Sequence, residues 1–252
     1  FKDLERLRQP MSLFIIFSTL ILFLYFNNII WNWGSEEGEN NIKAFQNLLR
    51  GTSPYGKTVT VEYVEWCKGA TFTYNYLPVT LLYYSFFLLF PASPVSAIIN
   101  FSNLKAGTMA ATIMTAVFLF IILKNLGKEA FGKTLLVLYL LLFGYEWGGK
   151  DYIHNVTVFF MVLTAYLLIK DKRCLSLTAA GFTALTQPFG TLFSIFVIAH
   201  IFRQVKSKIF EWKSLLAVMP PLLILLFFLI WDWNGFYYLS LIHISEPTRP
   251  RL

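Results

Sequence analysis

The sequence predicts an all-α fold: a polytopic transmembrane helix bundle with an outer loop carrying short surface helices. Three observations point there. Hydrophobic residues make up 56% of the chain and charged residues 14%, and its 26 Phe outnumber its 21 Lys and Arg together. A soluble domain needs a mixed surface and has nowhere to bury so large an apolar share. Apolar runs follow one another along the chain, several near the ~20 residues that cross ~30 Å of hydrocarbon as a helix. Lys and Arg gather in short clusters between these runs, the bias of cytoplasmic connections beside membrane spans. The net charge of +7 is therefore spread over membrane-flanking turns, and no nucleic-acid partner is expected.

The first span is Met11–Trp31, which ends in Trp31 and Trp33, aromatic residues suited to the headgroup region. Lys2, Arg6 and Arg8 precede it and set the N-terminus on the cytoplasmic side. The polar segment Asn32–Asn75 then faces outward and carries Glu36, Glu37 and Glu39 just past the span. Within it, Asn41–Arg50 places Ile42, Phe45, Leu48 and Leu49 at helical spacing, an amphipathic helix expected to lie on the membrane surface. Gly51–Gly56 breaks that helix.

Tyr76–Phe90 is the next span, stopped by Pro91 and Pro94; Val95–Leu104 is a weaker apolar piece and Gly107–Leu123 a clear span. Thr134–Trp147, Asn155–Ile169, Cys174–Thr186, Phe189–Phe202 and Ser214–Trp231 follow. Several fall short of ~20 residues, which implies half-helices, tilt or polar extensions. Pro188 and Pro220-Pro221 are expected to break or kink their helices. The basic connections Lys124–Lys133, Lys170–Arg173 and Arg203–Lys213 are expected in the cytoplasm. Tyr145–Asn155, Gln187-Pro188 and Trp231–Tyr238 then lie outside with the acidic segment. Under that assignment Tyr76–Leu123 must cross an odd number of times, although it looks like two spans. A re-entrant piece or an exception at Lys124–Lys133 would each satisfy the count.

Residues 1–238 are expected to form one transmembrane domain, incomplete at both ends. Leu239–Arg249 reads LSLIHISEPTR, which resembles the conceptual translation of a transposon-type sequencing adaptor. Residues 239–252 are accordingly expected to be a non-native tail, and His243, Glu246 and Arg249 are set aside. Cys67 and Cys174, the two cysteines, suggest neither a disulfide nor a metal site. No cofactor is expected, and a divalent ion stays open as an additional component.

Three groups of residues carry candidate chemistry. Glu36, Glu37 and Glu39 sit where water meets lipid, and a carboxylate there serves as a general base towards a hydroxyl; a solvated glutamate run is the plainer alternative. Gly148-Gly149-Lys150-Asp151-Tyr152-Ile153-His154 packs a cation, a carboxylate and an imidazole into one turn. The run Lys170–Phe189 combines a basic turn, a helix rich in small residues (Ala179, Ala180, Gly181, Ala184) and a break at Gln187-Pro188. The small residues read as close helix packing. Asn100-Phe101-Ser102 and Asn155-Val156-Thr157 match the glycosylation pattern but abut spans, and no nucleotide-binding or zinc-type motif occurs.

Together these segments resemble the GT-C superfamily of polytopic glycosyltransferases. In that family an acidic residue after the first span precedes a surface helix ending in a G-x-x-P-Y turn, here Gly51–Tyr55, and a Y-x-P motif, here Tyr76-Leu77-Pro78, opens the second span. The resemblance sets the acidic residue best on Glu37, with Glu36 next, although the family usually has Asp. Gly148, Asp151 and Ile153 match a G-Q-x-D-x-I-P-type segment of enzymes that use polyprenyl-phosphate sugars; Gly149 and His154 depart from it. Gln187 stands where Lys is common in the family's A-L-T-K-x-P break. The resemblance implies an inverting, mannosyltransferase-like membrane enzyme that moves a sugar from a polyprenyl-phosphate donor to an acceptor hydroxyl on a glycan, lipid or protein at the extracytoplasmic face. Glu37 would take the acceptor proton, and Lys150, His154, Arg50 and Gln187, with Asp151, would form the second motif around the donor phosphate. A transporter or flippase is the alternative, but almost no charge lies inside the apolar runs and no internal repeat is visible. A non-catalytic membrane subunit that docks through the acidic segment is the third.

Overall fold

The computed structural model describes residues 12–22, 36–62, 67–74, 76–89, 98–141, 154–204 and 212–237. Among them the fold is almost wholly helical. The elements are α1 (Ser12–Leu22), α2 (Glu36–Leu49), β1 (Thr58–Thr60), β2 (Thr71–Thr73), α3 (Pro78–Leu88), α4 (Ile98–Asn125), α5 (Glu129–Leu138), α6 (His154–Ile169), α7 (Arg173–Ala184), α8 (Pro188–Gln204) and α9 (Trp212–Trp231). Asn103–Asn125, within α4, is the one described stretch long and apolar enough to cross a membrane; α1, α3, α6 and most of α8 and α9 are apolar but shorter. The tail 239–252 lies outside the described residues.

Side-chain bonds fix the directions of the helices. Asn155 of α6 bonds Thr112 of α4, and Phe118 packs on Phe159 and Tyr166, so α4 and α6 run the same way. Lys170 Nζ reaches Asn125 Oδ1 at 3.2 Å, which brings the α6–α7 turn beside the end of α4. The path then reverses at each turn: Ser176 donates to Thr164 O, Ser194 to Ala180 O and Thr178 to Ala217 O. Ile201, Leu168, Cys174 and Ala217 share one cluster. The basic turns after α4 and α6 and the last turn of α8, with exposed Arg203, therefore occupy one end of the bundle. The start of α6, the α7–α8 break and the end of α9 occupy the other.

The helix ends have local causes. Gly51 has φ +68°, and Gly51 N bonds Leu48 O while Thr52 N bonds Asn47 O, the paired bonds of a left-handed C-terminal cap. Asp171 (φ 53°) closes α6 with the same pair of bonds: Asp171 N donates to Leu168 O and Lys172 N to Leu167 O. Pro188 supplies the first turn of α8, where its missing N–H costs nothing.

Four expectations are corrected. Val95–Leu104 and Gly107–Leu123 are one continuous helix, α4, from Ile98 on. Gly107 does not break it; a Cβ there would sit 3.0 Å from Phe87 Cδ2 and 3.2 Å from the Tyr84 ring, so the glycine lets α3 approach closely. The amphipathic helix begins at Glu36, five residues early, because glutamates stabilise the positive N-terminus of a helix as well as they suit a loop. Its apolar face does not lie outward: Ile42 and Phe45 are buried against Tyr84, Leu104, Val156 and Phe159, while Leu49 is exposed. Of the break or kink expected at Pro220 and Pro221, the break does not occur: α9 continues from Trp212 to Trp231 with both prolines inside it.

The last correction follows from backbone chemistry. Pro221 has no N–H, so the carbonyl four residues earlier, Ala217 O, loses its helical partner. Thr178 Oγ1 of α7 donates to that oxygen at 2.6 Å. A Cβ on Gly181 would lie 2.5 Å from Pro221 Cγ, so the glycine makes room for the ring. The small-residue face of α7 is thus a packing face, as expected from sequence: Ala179 and Ala180 are buried, and Ala180 O and Ala184 O accept from Ser194 and Thr191 of α8.

Candidate functional site

The end of the bundle away from the basic turns is covered by α2, the β1–β2 hairpin and the start of α3. The hairpin is antiparallel with Val59 opposite Phe72. Its attachment to α2 is electrostatic: Lys43 Nζ lies 3.1 Å from both Glu39 Oε1 and Glu62 Oε1, and Glu62 N donates to Glu39 Oε1 at 2.7 Å. Burial opposes the Lys43 ammonium, but its hydrogen bonds to Glu39 and Glu62 outweigh that and raise it above the usual lysine value. Glu39 is therefore a structural group that ties helix to hairpin.

Glu37 lies in the first turn of α2 and is 7% exposed, next to Asn40 (5%) and Asn41 (0%). A solvated acidic loop would expose these residues; here Glu37, Asn40 and Asn41 are buried. Asn41 Nδ2 donates to Glu37 O at 2.8 Å, and Asn41 Oδ1 accepts from Tyr74 OH at 3.2 Å. Glu36 opens the same helix. Tyr74 packs edge-on against Tyr76 at 5.6 Å and beside Tyr55 at 5.7 Å. Burial lifts the Tyr55 phenol well above its ordinary value, and burial with the neighbouring phenols does the same for Tyr74. The G-x-x-P-Y turn thus supplies an aromatic anchor: Tyr55 also meets Phe228 and Phe236, and Gly56 approaches Gly235, where a Cβ would find Gly235 Cα at 3.4 Å.

The Y-x-P segment meets the Gln187-Pro188 break directly. Leu77 N donates to Thr186 O (3.4 Å), Val79 N to Leu185 O (2.9 Å) and Thr80 Oγ1 to Thr186 O (2.9 Å). Free N–H groups at the start of α3 are thus satisfied by carbonyls at the end of α7. One residue on, Gln187 Oε1 lies 2.8 Å from His154 Nδ1, and Phe189 stacks near the His154 ring. Two residues singled out independently from sequence are therefore partners. A linked set of contacts runs from Glu37 through Asn41, Tyr74, Tyr76 and Leu77 to Thr186, Gln187 and His154.

The remaining expected residues stand apart from this set. Arg50 is exposed at the far end of α2, about 20 Å along the helix from Glu37. Lys150 and Asp151 lie outside the described residues. Asn155 is 7% exposed and donates to Thr112 Oγ1 at 2.9 Å, so the glycosylation pattern there marks a buried structural amide. Among the described residues no three His, Cys, Asp or Glu group in a way that could hold a metal ion. One residue escaped notice in the sequence: Lys105, 4% exposed on α4, in the short polar gap between two apolar runs. No family model matches the chain, and no curated protein or solved structure matches it significantly.

Proposed function

We propose that the chain belongs to an integral-membrane glycosyltransferase of GT-C type, which moves a sugar from a polyprenyl-phosphate donor to an acceptor hydroxyl at the extracytoplasmic face. The observation that carries this reading is the linked set from Glu37 to the His154–Gln187 pair, gathered at one end of the bundle with the basic turns at the other. That polarity is what the positive-inside bias demands of a multi-pass protein with an outward site. Outward apolar side chains support a lipid setting: Phe196 on α8 and Phe227 and Ile230 on α9 are among the most exposed large hydrophobics.

In this reading Glu37 accepts the proton of the acceptor hydroxyl as that oxygen attacks the anomeric carbon. The bond from the anomeric carbon to the lipid-phosphate oxygen breaks, the phosphate leaves with the electron pair, and attack from the opposite side inverts the centre. His154, held by Gln187, stands at the phosphate side as a donor. The test is sugar transfer by the full-length protein in membranes. Glu37→Gln should lower the rate by about 10²–10⁴ with insertion unchanged. Glu36→Gln is the competing substitution, and Glu39→Gln should act through the Lys43–Glu62 attachment. Near-normal transfer by Glu37→Gln and Glu36→Gln alike would remove the reading. Lys105 gives the transporter alternative its one favourable feature, an ionisable group within a helix; substrate flux without transfer would select it.

A further inference from the structure

Between α1 and α5 lies a groove of about 290 Å³ that shares no residue with the linked set from Glu37 to His154. Its floor is apolar: Ile16 and Val137 pack on the cluster of Ala116, Leu136 and Leu140. Ile15 and Leu138 line it from exposed positions, and the apolar surface continues past them through exposed Leu13, Phe14 and Phe17 of α1. An apolar groove of this size, just under the about 300 Å³ at which most small-molecule pockets begin, suits a length of hydrocarbon chain rather than a polar metabolite. The polar lining is Ser12, Lys133 and Thr134. A Cβ on Gly132 would meet Leu123 and Phe120 of α4, whereas Leu136 and Leu140 reach Ala116. α5 therefore runs back along α4, which puts Lys133 at the basic end of the bundle. Lys133 Nζ lies 3.0 Å from Glu129 Oε1, and Lys133 together with Lys124 holds the Glu129 carboxyl below the usual carboxylate range. With exposed Lys128, three ammonium groups face one carboxylate, a surplus of two positive charges around the α4–α5 turn. An ammonium carries three N–H groups, so Lys133 can serve Glu129 and a second anion together.

We propose that this groove holds one acyl chain of a phospholipid with a net negative headgroup, whose phosphate meets Lys133 at the basic end. Two features select that occupant: an apolar floor continuous with exposed apolar surface takes the chain, and the surplus of positive charge takes the headgroup. The site lies at the opposite end of the bundle from Glu37, and it rests on the membrane setting rather than on sugar transfer.

The full chain is titrated in mild detergent with phosphatidylglycerol, or with phosphatidylcholine of the same acyl chains, and retained lipid is counted by native mass spectrometry. Wild type should retain one phosphatidylglycerol in preference to phosphatidylcholine. Lys133→Met should reduce that preference about fivefold, the scale of one basic residue near an anionic headgroup, and Lys133→Arg should keep it. Glu129→Gln removes the competing carboxylate and should raise it. Leu138→Trp fills the groove and should lower retention of either lipid. Lys172→Met is the control, because Lys172 is exposed at the same end without lining the groove. Equal retention of the two lipids by wild type overturns the proposal. So does a loss in Lys172→Met as large as that in Lys133→Met, which would mean general attraction by the basic end. A lipid-free dimer split by Leu138→Trp would give the groove to a second copy of the chain instead. Should Lys133→Met fold poorly, Glu129→Gln carries the test, and an unchanged or lower preference there overturns the proposal. Sugar transfer enters none of these outcomes, so its absence would refute the transferase and leave the lipid site standing.

Discussion

Replacing Thr178 by Val tests how α9 accommodates Pro221. The hydroxyl donates to Ala217 O at 2.6 Å, and Ala217 is 9% exposed, so water has little access to the abandoned carbonyl. A buried acceptor left without a donor costs about 1–3 kcal/mol. Thr178 is only partly buried and also faces Cys174 O at 3.2 Å, which puts the loss at the lower half, about 1–2 kcal/mol. For a chain of this size that is roughly 2–8 °C in melting temperature, read by circular dichroism of the protein in nanodiscs. The decisive arm is the same substitution in a Pro221→Ala background. An alanine in place of the proline carries an N–H that closes the helical bond to Ala217 O, so the threonine is no longer needed. Thr178→Val should then cost less than about 0.5 kcal/mol, a coupling of roughly 1 kcal/mol in the double-mutant cycle. Equal losses in both backgrounds would refute the argument, because the hydroxyl would be acting through packing alone.

Gly190→Ala should destabilise by about 1–3 kcal/mol, since its Cβ would lie 2.3 Å from Thr183 O, a backbone atom unable to yield. Gly51→Ala meets nothing within 4 Å yet should still lose about 1 kcal/mol through its φ of +68°, and the same melts compare the two. Tyr55 and Tyr74 keep their protons in the folded state beyond pH 10, while unfolded phenols ionise there. The folded state then binds more protons, so stability is unaffected below pH 10 and falls as pH rises above it. Phenolate absorbance from these residues should appear with unfolding, and a normal titration near pH 10 in the folded protein would refute the burial argument. Tyr55→Phe should be neutral or stabilising at pH 7, because its buried hydroxyl has no hydrogen-bond partner among the described residues.

Helix existence was legible because apolar runs record burial or lipid contact directly, and α6, α7, α8 and α9 begin and end within about two residues of the expected spans. The gap at Lys105-Ala106 divided the reading of α4, and the close approach that Gly107 allows to the rings of Tyr84 and Phe87 is visible only in the packing. The break offered at Pro221 does not occur, and the carbonyl left without its helical N–H, Ala217 O, accepts from Thr178 on a helix far upstream in sequence. His154 and Gln187 were each visible as polar residues at span ends, but their pairing is a tertiary fact. Glu37 was singled out by its place after the first apolar run, whereas its burial is a tertiary fact. Lys105 passed as a connection because hydropathy alone does not distinguish a lysine between two helices from one inside a single long helix.

The bond from Thr178 to Ala217 makes the order of synthesis matter. α9 is the one described helix with prolines inside it, so on its own it would offer an unmet carbonyl to any apolar medium it entered. Its donor lies on α7, which leaves the ribosome first. The chain emerges with the receiving groove already made, Gly181 open for the proline ring and the Thr178 hydroxyl ready for the carbonyl. A circular permutant that released α9 before α7 would reverse that sequence. Its nascent α9 would have to wait with a broken ladder until its partner arrived.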